Sequence, residues 1–296
     1  MSNEQGRRPV STVRRTAQIV FGVLVGVPTI LFWCVLVLFL SLTLLISGGN
    51  ESCNVAHIRL HGILATTDSG IADMVGLGII ASSERIVGEI RDAAGNDDVR
   101  AVILDIDSPG GTPVAGDEIM RALQTLDKPS VAVIRDMGTS AAYWAAAGAT
   151  TIIASPVSDV GSIGVTMSYR ETADSKDREG SRWIDISSGL HKDAGNPDRV
   201  LTADEQAFFT GEVKQVHDYM VSQIANARPV LTHDALATLT DGRAYVGSEA
   251  LQLQLVDALG SFDEALQYIE TKLGMTKDDA VLCDPADSGL ASLLSN

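Results

Sequence analysis

Val99-Arg100-Ala101-Val102-Ile103-Leu104-Asp105-Ile106 runs straight into Asp107-Ser108-Pro109-Gly110-Gly111. The first eight residues are a largely apolar run of strand length, and the five after them form a turn rich in proline and glycine. Beyond the turn, Val114 to Leu126 carries apolar residues at three- and four-residue spacing, which predicts an amphipathic helix. The pattern then repeats. Ser130 to Ile134 predicts a second buried strand, and Ser140 to Ala147 a helix of small apolar residues. Upstream, Val55 to Leu60 reads as a strand and Ser82 to Ala94 as a helix, and downstream Thr150 to Ala154 reads as another strand. Strands alternating with helices imply crossover units and a largely parallel sheet covered on both faces, which is an α/β fold.

After Pro197 the sequence turns helical again. Thr202 is placed as an N-cap with Glu205 as its capping-box partner, so a long helix should run to about Ala227. A shorter helix should begin near Thr232. From Thr276 no strong period remains, which marks 276–296 as a tail, and the chain shows no internal repeat.

Composition narrows the function. Among 296 residues, 45% are hydrophobic and 20% charged, which supplies a large core and excludes a disordered chain. A net charge of −16, with 38 acidic against 22 basic side chains, argues against nucleic acid as a partner. Three cysteines without CxxC spacing and five scattered histidines (His57, His61, His191, His217, His233) form no metal-ligand pattern, so no metal or cofactor is expected. His57 and His61 are close enough in sequence to sit together.

Residues 19–47 include an uncharged span from Ile19 to Ile46, longer than the roughly 20 residues that cross a bilayer. Arg7, Arg8, Arg14 and Arg15 precede it, and Glu51 is the first charge beyond. The positive-inside rule therefore keeps 1–18 in the cytoplasm and places everything after about Gly48 outside the cytoplasmic membrane. A cleaved signal peptide ending near Ser47-Gly48-Gly49 is the competing reading, but the apolar stretch is about twice a signal peptide's core. Cys34 would then lie within the membrane. Cys53 and Cys283 are left to pair in an oxidising compartment or to stand as unrelated thiols.

Two loops at carboxyl ends of parallel strands, where α/β proteins place their sites, carry chemistry. In Asp107-Ser108-Pro109-Gly110-Gly111 the glycines let backbone approach a ligand and turn N–H groups outward, which suits an oxyanion and equally an ordinary turn. In Met137-Gly138-Thr139-Ser140-Ala141-Ala142-Tyr143-Trp144, Ser140 is either a helix N-cap or a nucleophile, with the Ala141 amide free beside it. A serine nucleophile needs a base. None of the histidines falls between Ser140 and His191, and Ser187-Ser188-Gly189-Leu190-His191-Lys192-Asp193 follows an expected short strand, Trp183 to Ile186. Lys192 becomes a base if desolvation lowers its pKa toward 7–8, and His191 is its rival.

These loops resemble the signal peptide peptidase A family of membrane-bound serine/lysine peptidases, over about Val55 to Leu273. The resemblance rests on Asp107 to Gly111, Gly138 to Tyr143, Gly161-Ser162-Ile163-Gly164-Val165, Gly189 to Asp193, and Asp241 to Ala250 with Leu255-Val256-Asp257 after it. It implies a Clp-protease/crotonase-like fold in residues 52–275, with Ser140 as nucleophile and Lys192 as general base. It gives His191 no catalytic role. Further, it implies an oxyanion hole from the Gly111 and Ala141 amides, a turn shaped by Gly110, and a Ser162 hydroxyl that bonds the lysine amine. Two positions depart from the family's pattern, Ala141-Ala142 where a glycine pair is common and Gln254 where glycine is usual. The single set of motifs resembles the short form, which implies a homo-oligomeric ring with the dyad completed across a subunit boundary.

The function expected from this is hydrolysis of hydrophobic, membrane-derived peptides such as spent signal peptides. Clipping of a particular membrane protein is the alternative within the same chemistry. A crotonase-like acyl-CoA enzyme would share the oxyanion hole, but it has no need of Ser140 with Lys192, and the anchor exports the domain away from CoA. A catalytically silent membrane scaffold would not need the pair either.

Overall fold

In the computed structural model, residues 32–33, 35–38, 53–67, 80–181 and 184–283 are described. The chain divides into one unit of Met1–Glu51 and another of Ser52–Asn296, and the second contains the sheet. The expected membrane span at 19–47 lies outside the described residues, apart from 32–33 and 35–38, which are helical. Among the described residues no helix is long and apolar enough to cross a membrane.

The second unit opens with β1 (Val55–His61), β2 (Ile63–Ala65) and β3 (Ile80–Ser82), followed by α1 (Ser83–Gly95). Then come β4 (Ala101–Ser108), α2 (Pro113–Gln124), β5 (Ser130–Thr139), α3 (Ala141–Ala146), β6 (Thr151–Ala154) and β7 (Asp159–Gly161). The remainder is α4 (Ala173–Glu179), α5 (Ala203–Ala227), α6 (His233–Leu239), β8 (Ala244–Val246), α7 (Gly247–Gln252), β9 (Ala258–Leu259), α8 (Phe262–Leu273) and β10 (Leu282–Cys283). The main sheet has the order β10-β1-β4-β5-β6-β9, with every pairing along it parallel.

Side-chain alternation divides the core into two layers. Ile58, Leu60, Val102, Leu104, Ile106, Ala132 and Ile134 face the layer that holds α1, α2 and α3. Val55, Ala101, Ile103, Val131 and Val133 face the opposite way, onto Ala265 and Ile269 of α8. The parallel α/β reading is therefore what the chain adopts. The end of β5 is reused: Val131 to Ile134 pair with β6, whereas Met137 to Thr139 pair with β7, which itself lies antiparallel to β8.

Helix starts follow local capping chemistry. The Thr202 hydroxyl accepts from the Glu205 amide, and the Glu205 carboxylate returns a bond to the Thr202 amide, so the 25-residue α5 begins where the capping box placed it. Thr232 caps α6 more simply, its hydroxyl accepting from the Ala235 amide.

Two local expectations fail. Ile184 to Ile186 form no strand; Ile186 is 96% exposed and pairs with no strand among the described residues, while Trp183 lies outside the described residues. Residues 282–283, expected within a tail, instead form β10 against β1, and Cys283 is disulfide-bonded to Cys53 with Cα atoms 4.9 Å apart. The remaining tail, 284–296, lies outside the described residues.

Candidate active site

Ser140 sits where β5 gives way to α3, with φ 56° and ψ −123°. A non-glycine residue rarely takes this conformation, which costs about 1–3 kcal/mol and persists only when neighbours enforce it. Here they do. The Ser140 amide donates to the Gly161 carbonyl at 2.8 Å, and the Ser140 carbonyl accepts from the Trp144 amide at 3.0 Å. The hydroxyl itself makes no capping bond to the helix, so Ser140 holds the N-cap position without doing an N-cap's work.

The Ser108-Pro109-Gly110-Gly111 loop lies directly against this turn. Gly110 has φ 95°, and a Cβ added there would stand 2.8 Å from Ser140 Cβ and 2.9 Å from the Ala141 nitrogen. Gly111 is still more confined, since a Cβ would fall 2.0 Å from the Leu64 carbonyl oxygen. That contact is a built one: the Leu64 amide donates to the Gly110 carbonyl at 2.8 Å, and the Thr112 amide donates to the Leu64 carbonyl at 2.9 Å. β2 therefore clamps the loop from outside, and its role was missed from sequence because three residues carry too little pattern. Among the described residues neither the Gly111 nor the Ala141 amide donates to a backbone carbonyl. Ala141 heads a helix, where the first amides lack intrahelical partners. Two unsatisfied amides beside one strained serine form the donor set an oxyanion needs.

The two departures have physical readings. Ala141 packs its carbonyl within 2.7 Å of where a Cβ on Gly116 would be, so the small residue lost at 141 is matched by a glycine across the α2–α3 contact. Gln254 holds φ 62°, a left-handed conformation that glycine adopts without strain, and its carbonyl is fixed by Arg228 Nη2 at 2.9 Å.

Beside Ser140 lies a cavity of about 100 Å³, lined by Gly111, Pro113, Ser140, Ala141, Trp144, Gly164, Val165, Thr166 and Met220. None of these is charged. Trp144 and Met220 were not expected in the site; Met220 arrives on α5, some eighty residues along the chain, and only the tertiary packing shows it.

Among the described residues no hydrogen bond joins Lys192 to Ser140, and Lys192 does not line the cavity. It is exposed, in the turn 189–195, and its amide donates to the Gly189 carbonyl at 3.2 Å. That turn is docked on the start of α5. His191 stacks on Phe208 with centroids 4.8 Å apart and pairs with Asp204 at 3.8 Å. Arg199 joins Asp193 at 3.3 Å to Glu205, whose carboxyl the Arg199 hydrogen bonds and the Thr202 cap hold down at about 2. Ser162, with φ 48°, donates its hydroxyl to the Gly242 carbonyl at 2.9 Å, so the bond expected toward a lysine is made to backbone here. The Asp241 to Tyr245 segment thereby holds the Gly161-Ser162 turn, and Asp241 is tied to Arg243 at 2.8 Å.

The other histidines also have local partners. His57 and His61 do sit together, both on the buried Asp105, at 3.2 and 3.1 Å, with Arg135 at 3.6 Å. His217 bonds the Thr240 carbonyl at 3.0 Å.

A strained serine on a strand-to-helix turn with amides aimed beside it is the outline of an acyl-transfer site on an α/β scaffold. The chain belongs to peptidase family S49, whose model matches residues 122–276, just over half its length. It is 30% identical over 188 residues to a putative protease of Methanocaldococcus jannaschii, covering 63% of this chain and 60% of that one. A putative protease of Synechocystis is 32% identical over 184 residues, covering 62% of this chain and 66% of that protein. A putative signal peptide peptidase SppA of Enterococcus faecium is 28% identical over 197 residues, covering 66% and 57%. The chain thus spans about three fifths to two thirds of the length of these relatives.

Proposed function

We propose that this chain is a membrane-anchored serine endopeptidase that hydrolyses hydrophobic, membrane-derived peptides, spent signal peptides among them. The observation that carries the reading is the strained Ser140 turn, φ 56°, packed against Gly110 and flanked by the free Gly111 and Ala141 amides. In the reaction, Ser140 Oγ attacks the scissile carbonyl while the neutral amine of Lys192 takes its proton. The oxyanion that forms is held by the two amides. Collapse breaks the C–N bond as the lysine returns the proton to the leaving amine, and water then hydrolyses the acyl-enzyme by the same route in reverse.

Lys192 comes from a neighbouring copy in this reading. It stands on an exposed segment that also presents Ile184, Ile186, Leu190 and Val200 to solvent, at 76%, 96%, 79% and 64% exposure. Four large apolar side chains exposed on one segment favour burial against another surface, and a second subunit offers it. The Cys53–Cys283 bond suits an oxidising compartment, which agrees with the arginine-flanked span that would export the domain.

The test is turnover of a hydrophobic peptide by the full-length chain in detergent. Ser140→Ala should abolish it, and Lys192→Arg should do nearly as much because a guanidinium stays protonated. Equal turnover by wild type and Ser140→Ala would sink the proposal. A dead His191→Ala beside an active Lys192→Arg would make it a serine–histidine enzyme instead.

A further inference from the structure

We infer that the cavity beside Ser140 receives the side chain on the acyl side of the scissile bond and admits only small aliphatic residues, with Trp144 and Met220 setting the limit. This rests on the peptidase reading above and goes beyond it to the substrate's P1 class. Ser140 and both proposed oxyanion residues, Gly111 and Ala141, are themselves part of the cavity wall. A side chain entering it is therefore attached next to the carbonyl under attack.

Volume decides what fits. The cavity holds about 100 Å³, whereas a protein cavity that takes up a benzene ring has about 150 Å³. An alanine or valine side chain is accommodated, and an aromatic ring is not. The walls are uncharged, which disfavours a charged side chain that would lose its hydration without a partner.

The limit is also stiff. Trp144 is 1% exposed and meets Tyr219 edge to face, with centroids 5.8 Å apart. Tyr219 is held in turn by a 3.2 Å hydrogen bond from its hydroxyl to Asp117. Met220, 2% exposed, follows Tyr219 on α5 and is also part of the cavity wall. Enlarging the pocket for a ring means displacing α5 against α2 and α3 together, not rotating one side chain.

The experiment uses the full-length chain in detergent and apolar peptides that differ only at P1, carrying alanine, valine or phenylalanine. Wild type should cleave the alanine and valine peptides at least tenfold better, in kcat/KM, than the phenylalanine peptide. Met220→Ala removes three heavy atoms from the wall and should narrow that ratio about tenfold. Should Met220→Ala misfold, Val165→Ala trims the same cavity from another element and should narrow the ratio in the same direction. Wild type that cleaves the phenylalanine peptide as well as the alanine peptide overturns the size limit while leaving the peptidase reading intact. Ratios left unchanged by the folded variants overturn the assignment to Trp144 and Met220. No Ser140-dependent cleavage of any peptide overturns both.

Discussion

At Ser140 the backbone takes φ 56° and ψ −123°, held by one hydrogen bond to Gly161 and one from Trp144. Glycine reaches that region without steric penalty, and alanine does not. Ser140→Gly should therefore be more stable than Ser140→Ala by about 1 kcal/mol, both being inactive, as read from chemical unfolding. Equal stability would mean that the turn is unstrained. Ser140 and the Gly110-Gly111 turn were legible in the sequence because each lies where a strand gives way to a helix, and that local grammar needs no tertiary knowledge. The strain at Ser140 was not, since serine is also an ordinary N-cap. The backbone position alone fits both, and only the hydroxyl's lack of a capping bond separates them.

Among the elements, β1 and β4 are joined by their ladder and also by Asp105, which two imidazoles share. Burial acts to raise the Asp105 carboxyl, but hydrogen bonds from His57 and His61 and the Arg135 charge outweigh it and leave the pKa below its ordinary value. A carboxylate with a lowered folded pKa stabilises the fold fully above its unfolded value of about 3.9, and that contribution is lost as the pH falls through the lower folded value. Asp105→Asn should cost about 1–3 kcal/mol at neutral pH, and its stability should depend less on pH below 4 than the wild type's. Denaturant midpoints between pH 2.5 and 7 measure both, and parallel profiles would refute the role. The capping boxes of α5 and α8 show why helix starts are readable: four consecutive positions suffice. β10 was not readable, because two residues hold no period and its place depends on β1 and Cys53, more than two hundred residues away. Ile184 to Ile186 misled for the opposite reason. They have a strand's composition but pair with no strand among the described residues, and Ile184 and Ile186 face solvent.

For the whole molecule, the exposure of Lys192 outside the cavity beside Ser140 has a direct consequence. If the pair forms between copies, inactive Ser140→Ala and inactive Lys192→Ala chains should regain activity when mixed and allowed to exchange subunits, since some contacts then join an intact serine to an intact lysine. A ring by mass measurement with no recovery after exchange would show that each chain supplies its own pair. The sequence showed both residues but not the surroundings of each, because whether a loop lysine is exposed is a property of packing. The segment that carries Lys192 would be a hazard in the proposed assembly of peptidase copies, since it exposes Ile184, Ile186, Leu190 and Val200. Both ends of the described fold are tied through Cys53 and Cys283. A single self-inflicted cut within residues 184–200 would therefore release nothing: the two pieces would remain one covalent molecule of almost unchanged mass, and an aged, nicked population would separate into fragments only when a reductant is added.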